Sequence, residues 1–233
     1  MREEKKPRVI ITDFDGVLVD SYSCLPELYE DIARIAGVGS RHIGEFVAIA
    51  IEMEDEEDAR ENYDRSSWWP RLFRKFGIKV QPSMLRFLLE RFWDQRIKLS
   101  RILPRVIETL EELRRRGIIT IILAGNDGIV GLKRRRVERS GLSAYFDKIL
   151  IVGDNVSDRI SAVRDISKTY NVCPQEIVYV DDKPRPIMEV KRLPGIITVW
   201  VRFRGILKKA WLGDPKPTYT VSGFWEILSI FRR

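Results

Sequence analysis

Arg8-Val-Ile-Ile-Thr-Asp-Phe-Asp-Gly-Val-Leu-Val-Asp20 is the stretch on which the fold turns. Its β-branched run, Arg8 to Thr12, lies between a charged leader and an Asp-Gly turn and reads as a buried strand. Asp13 and Asp15 emerge together at the carboxyl end of that strand. Two carboxylates so placed repel each other, and a shared divalent cation is their natural partner; a hard ion with oxygen ligands and retained waters describes magnesium. Turn chemistry accounts for Gly16 but not for two acids crowded at a strand end.

Upstream, Met1 to Pro7 is charged, with no apolar signal core and no small-residue cleavage site, so the expected location is the cytoplasm. Downstream the pattern becomes helical from Leu25 to Leu99. Leu25, Leu28, Ile32 and Ile35 line one face, and Met84, Phe87, Leu88, Arg91, Phe92 and Gln95 trace another helix opened by Pro82-Ser83. After Pro104, helices and strands alternate: strands at 118–123, 148–152, 177–180, 196–201 and 218–221, helices at 130–139, 159–170 and 186–193. Such alternation implies a parallel sheet covered on both faces, with reactive groups at the carboxyl ends of its strands.

A second apolar strand, Ile177-Val-Tyr-Val180, delivers Asp181 and Asp182 at its carboxyl end. Two strand-terminal acid pairs on one sheet edge are hard to explain by solvation, and a metal site explains both. Elsewhere the charge reads as ordinary surface. The net charge of +7 on 233 residues is scattered Arg and Lys. The run Lys133-Arg-Arg-Arg136 is expected on the solvated face of an amphipathic helix, and the eight carboxylates of Glu52–Asp64 on a solvated surface. Trp68-Trp69 is expected in the core of the helical segment, with the wall of a substrate cavity as the alternative. A charged fraction of 32% with a single His and three Gln resembles a heat-adapted composition. Cys24 and Cys173 are far apart in unlike settings and are read as packing residues. No apolar run is long enough for a spanning helix.

These motifs resemble the haloacid dehalogenase superfamily: Asp13-Phe-Asp15-Gly16 after the first strand, a second strand ending in paired acids, Gly141-Leu-Ser-Ala-Tyr-Phe-Asp147 before the third strand, and a helical insertion just after the first motif. The resemblance covers nearly the whole chain. It implies an α/β fold with a Rossmann-like doubly wound parallel sheet, residues 1–20 and 102–233, and a helical type-one cap domain, residues 21–101. It also implies that Asp13 is the nucleophile, forming an aspartyl-phosphate, and that Asp15 is the general acid/base, with a raised pKa. Magnesium would be held by the Asp13 side chain, the Asp15 backbone carbonyl and Asp182, with Asp181 assisting directly or through water. Dehalogenases of the superfamily need no metal and lack an acid at the position of Asp15, so phosphoryl chemistry is expected here.

Two positions depart from the family pattern. Ala124 stands where the second motif has Ser or Thr, leaving the backbone amides of Ala124 and Gly125, or the Asn126 amide, to bind a phosphate oxygen. Arg159 stands near the third-motif Lys, with Lys148 and Lys183 as other candidates. The expected function is magnesium-dependent hydrolysis of a small phosphorylated metabolite by a monomer or homodimer. Nucleic acid and membrane are not expected partners. A nucleic-acid end phosphatase and a non-catalytic phosphate-binding protein are the alternatives. Segment 202–216 stays open between a loop over the core, a dimer contact and a ligand-binding flap.

Overall fold

The computed structural model describes residues 6–203 and 205–230. The predicted first strand, β1 (Val9–Thr12), is buried along its whole length and runs through a six-stranded parallel sheet. Before the sheet continues, the chain makes β2 (Val19–Asp20), helices α1 (Leu25–Ile35), α2 (Ile43–Ala59), α3 (Arg65–Lys75) and α4 (Pro82–Leu99), and β3 (Arg101–Ile102). Then follow α5 (Val106–Arg115), β4 (Ile119–Gly125), α6 (Leu132–Arg139), β5 (Lys148–Val152), α7 (Arg159–Thr169), β6 (Ile177–Asp181), α8 (Pro184–Val190), β7 (Ile197–Val201), β8 (Tyr219–Val221) and α9 (Ile227–Ile230).

The sheet order is β5-β4-β1-β6-β7-β8, every neighbouring pair parallel. The chain therefore builds outward from β1 on one side with β4 and β5, and returns to build outward on the other with β6, β7 and β8. The reversal falls between β1 and β6, a topological switch point, where open α/β sheets gather their ligands. Alternate residues of the central strands face opposite layers. Ile10, Ile122 and Val178 pack with Val106, Leu110 and Leu113 of α5, Val137 of α6 and Ile227 of α9. Val9, Ile11, Ile121 and Tyr179 pack with Ala162, Val163 and Ile166 of α7 and Ile187 and Val190 of α8. This is the expected α/β, Rossmann-like, doubly wound architecture.

The four helices α1–α4 enclose a second apolar cluster built on Leu25, Leu28, Tyr29, Phe46, Trp68, Trp69, Leu72, Phe73, Leu88 and Phe92. Trp69 is fully buried, edge-on to Phe92 with ring centroids 5.4 Å apart and to Phe73 at 6.0 Å. The two ends of this helical segment meet in a ribbon the sequence pattern did not suggest, antiparallel β2 and β3, where Val19 faces Ile102 and Asp20 faces Arg101.

Three expectations need correction. On α4, Met84 and Phe87 are exposed, while Leu88, Phe92, Trp93 and Arg96 face inward; the buried stripe is rotated from the one read off the sequence. In the acidic stretch, Glu54, Asp55, Glu57 and Asp58 are buried rather than solvated. Each has a partner: Arg65 for Glu54, the backbone N–H groups of Lys208 and Lys209 for Asp55, Arg71 and Asn62 for Glu57, Lys183 for Asp58. In the run 133–136, Lys133 and Arg136 are buried, Arg134 is half-buried and Arg135 is exposed.

Truncating a fully buried aromatic leaves a cavity that the surroundings fill only partly. Trp69→Ala is expected to lower the free energy of unfolding by about 3–5 kcal/mol in urea denaturation, and Trp69→Phe by less. A loss under about 1 kcal/mol for Trp69→Ala would contradict the packing described.

Candidate active site

β1 and β6 are paired in register, Thr12 beside Val180, so both deliver acids at the same height. One oxygen each of Asp13, Asp181 and Asp182 lies within 4.8 Å of the others. Gly16 makes the approach possible. It adopts φ +74°, and a Cβ there would stand 2.0 Å from Oδ2 of Asp182, a contact no side chain tolerates.

Crowding and burial shape the protonation of this trio. Burial, then the Asp181 carboxylate, push Asp13 up to about 7. Burial and Asp181 likewise hold Asp182 well above the carboxylate range, and burial raises Asp181. Three acids that resist ionisation together form a site that a cation would relieve. The oxygens of Asp181 are already engaged by the Tyr179 hydroxyl at 2.7 Å and the Lys183 amide at 2.9 Å. Asp182 is fully buried, and its Oδ1 has no hydrogen-bond partner among the described residues. An unpaired carboxylate oxygen in a dry site is costly unless something binds it. An all-oxygen donor set with one orphaned carboxylate oxygen fits magnesium.

Asp15 does not join the trio. Its carboxylate turns toward α6, where Arg136 donates to both oxygens at 2.5 and 3.0 Å, Lys133 forms an ion pair with it, and the Ser21 hydroxyl donates at 2.5 Å. Asp127 completes the network, 2.9 Å from both Arg136 and Lys133. Burial favours protonated Asp15, but Arg136, Lys133 and Arg96 outweigh it and hold Asp15 well below the usual carboxylate range. The expected rise in its pKa is reversed because two cations came from a run read as solvated. Leu132 and Val137, buried on either side, were the available signal: they flank Lys133 and Arg136 on one helical stripe.

The second-motif residues divide. Ala124 lies inside the β4–β5 ladder opposite Ile151, with its side chain in the apolar cluster beside Ile122, so it does not reach the cavity. Gly125 and Asn126, just beyond, line it. The Asn126 side-chain oxygen already accepts from Gly128 N–H at 3.0 Å. Arg159 opens α7 after Asp158, whose carboxylate caps the helix through Ser161 N–H at 2.8 Å. It is buried at the cavity, and its Nε has no partner among the described residues. Although burial works against its charge, the fields of Tyr179, Asp181 and Asp13 hold its pKa above the ordinary arginine value. Lys148 is exposed at the far end of β5 and takes no part. Lys183 sits in the wall, 2.6 Å from Asp58 and within 5.3–5.8 Å of the ring centroids of Tyr22, Tyr63 and Trp211.

The space these groups enclose is about 40 Å³, room for a few waters. Its roof comes from the helical segment: Tyr22, Glu54, Asp58, Tyr63, Arg65 and Arg96. No described helix is long and apolar enough to cross a membrane.

Solved structures share this architecture over essentially their full length. A protein from Haemophilus somnus described as a predicted phosphoglycolate phosphatase matches with a TM-score of 0.68 at 16% identity, covering 99% of this chain and 100% of its own. A protein from Bacillus subtilis named as a HAD-hydrolase and solved bound to magnesium matches at 0.70 and 14% identity, with 98% and 100% covered. The L-2-haloacid dehalogenase of Xanthobacter autotrophicus matches at 0.66 and 15%, with 97% and 98% covered. At these identities the likeness is one of fold, and it spans phosphatase and dehalogenase alike. No curated relative matches the chain in sequence. The haloacid dehalogenase-like hydrolase profile matches residues 7–188. With that match over most of its length, and acids at the ends of β1 and β6, the chain belongs to the haloacid dehalogenase-like hydrolases.

Proposed function

We propose that this hydrolase is a magnesium-dependent phosphohydrolase acting on a small phosphorylated metabolite. The observation that carries the reading is the convergence of Asp13, Asp181 and Asp182 within 4.8 Å at the switch point of the sheet. A dehalogenase has no use for three mutually repelling carboxylates, whereas a cation they hold would neutralise charge between a nucleophilic carboxylate and a phosphoryl group. Asp13, Asp182 and the Asp15 backbone carbonyl are the proposed ligands, with Asp181, its oxygens already engaged, acting through water.

Asp13 attacks phosphorus; the ester P–O bond breaks and the leaving oxygen takes a proton. Water then attacks the aspartyl-phosphate, the P–O bond to Asp13 breaks, and inorganic phosphate departs with the carboxylate restored. Splitting the reaction this way replaces one difficult displacement by two easier ones. Asp15 is ionised in the arrangement described, which suits it as base toward the water of the second step. To supply the proton that the leaving oxygen takes in the first step, Asp15 has first to loosen from Lys133 and Arg136 and take up a proton from solvent. Because the Ala124 side chain faces the apolar layer, the phosphoryl oxygens fall to the Gly125–Asn126 turn and the Arg159 guanidinium, which line the cavity. The roof and the cavity size favour a small substrate over a polymer end, and opening of the helical segment to admit it.

Hydrolysis of p-nitrophenyl phosphate tests the reading. Activity is expected with magnesium, is lost on chelation and returns on re-addition. Asp13→Asn is expected to reduce turnover by about 1,000-fold or more. Folded protein inactive with all divalent metals tried would move the assignment to a phosphate-binding role.

The network around Asp15 also makes a stability prediction. Burial raises the Asp127 pKa, but Arg136 and Lys133 more than offset it and hold the group below its ordinary 3.8. A pKa depressed on folding contributes stability that is complete above the unfolded value and is lost as pH falls through the folded value. Thermal midpoints are therefore expected to fall below about pH 4, and Asp127→Asn to fall less steeply there while starting lower at pH 7. Parallel curves for the two proteins would contradict the ion pairing.

A further inference from the structure

We infer that Trp211, on the segment between β7 and β8, is the positioning residue that fixes the carboxylate of Asp182 for the metal. The inference rests on the metal-site reading above and assigns a role to a segment whose sequence left its purpose open.

Asp182 has two carboxylate oxygens and no freedom to solvate either. Trp211 Nε1–H donates to Oδ2 at 2.7 Å; Oδ1 has no partner among the described residues. A carboxylate torsion is intrinsically broad and two-fold, so an oriented donor decides which oxygen is presented. Here the donor takes one oxygen and leaves the other bare. A second indole, Trp200 Nε1–H, holds the Asp182 backbone carbonyl at 2.8 Å, so main chain and side chain are gripped separately. Outer donors of this kind orient metal ligands, and their removal costs affinity.

The Trp211 ring is itself well held. Tyr22 meets it edge-on with centroids 5.0 Å apart, and Phe203 lies at 6.1 Å. Two and three residues earlier the segment is tied to α2, where Asp55 Oδ1 accepts the backbone N–H groups of Lys209 at 2.7 Å and Lys208 at 2.9 Å. The indole is thus placed by the helical segment and acts on a group of the sheet.

Trp211→Phe keeps the ring and removes the N–H. In isothermal titration of the full chain with magnesium chloride, the variant is expected to bind at least about 10-fold more weakly. Its thermal midpoint in chelator should stay near that of the unaltered chain. In the unaltered chain labelled with ¹⁵N, the Trp211 indole N–H signal, assigned by its loss in the variant or by triple-resonance connectivity, should shift on adding magnesium. Equal or tighter binding by the variant, or an indole signal indifferent to magnesium, overturns the role of Trp211 and leaves the metal site standing. No magnesium binding by the unaltered chain, matched by Asp182→Asn, removes the metal reading and this inference with it.

Discussion

Mutual repulsion among three buried carboxylates is the constraint on which this architecture depends. Asp13, Asp181 and Asp182 come together because β1 and β6 are adjacent, parallel and in register, and because Gly16 carries no side chain. Nothing in the folding of the sheet profits from that arrangement. Its cost is offset in part by Tyr179, Lys183 and Trp211, which engage oxygens of Asp181 and Asp182, and it leaves one oxygen of Asp182 unserved. Stability spent at a switch point is typical of a site kept for chemistry rather than for the fold.

Two residues from Asp13, Asp15 stands in the opposite environment. Asp13 is pushed toward neutrality by burial and by Asp181; Asp15, equally dry, is held ionised by Arg136 and Lys133. Adjacent carboxylates divided in this way are how a single loop assigns different protonation states to neighbouring groups. The division originates in α6, which brings two cations inward on the stripe bounded by Leu132 and Val137.

The fold and the acid trio were largely legible in the sequence, since a β-branched run followed by acids reports both a buried strand and what its end delivers. The roof was less so. Glu54 and Asp58 fall within a stretch whose composition suggests solvent, and their burial depends on Arg65 and Lys183, the latter 125 positions away from Asp58. Lys133 and Arg136 were hidden in the same manner, because charge composition says nothing about which member of a run meets a buried partner. Ala124 shows the limit of aligning a motif by position alone. Strand alternation turns its side chain into the apolar layer, and the residues that reach the cavity are the next two, Gly125 and Asn126.

The ribbon of β2 and β3 joins the sheet to the helical segment through two residues on each strand, with Val19 opposite Ile102 and Asp20 opposite Arg101. The two ends of a segment of about eighty residues are thereby held side by side at a neck, and the closure entropy of such a loop grows only slowly with its length. For the sheet, a segment twice as long or half as long would present nearly the same boundary. Roofs of different size and lining are therefore interchangeable over one set of acids, so that the range of molecules admitted can drift through evolution while the chemistry beneath stays fixed.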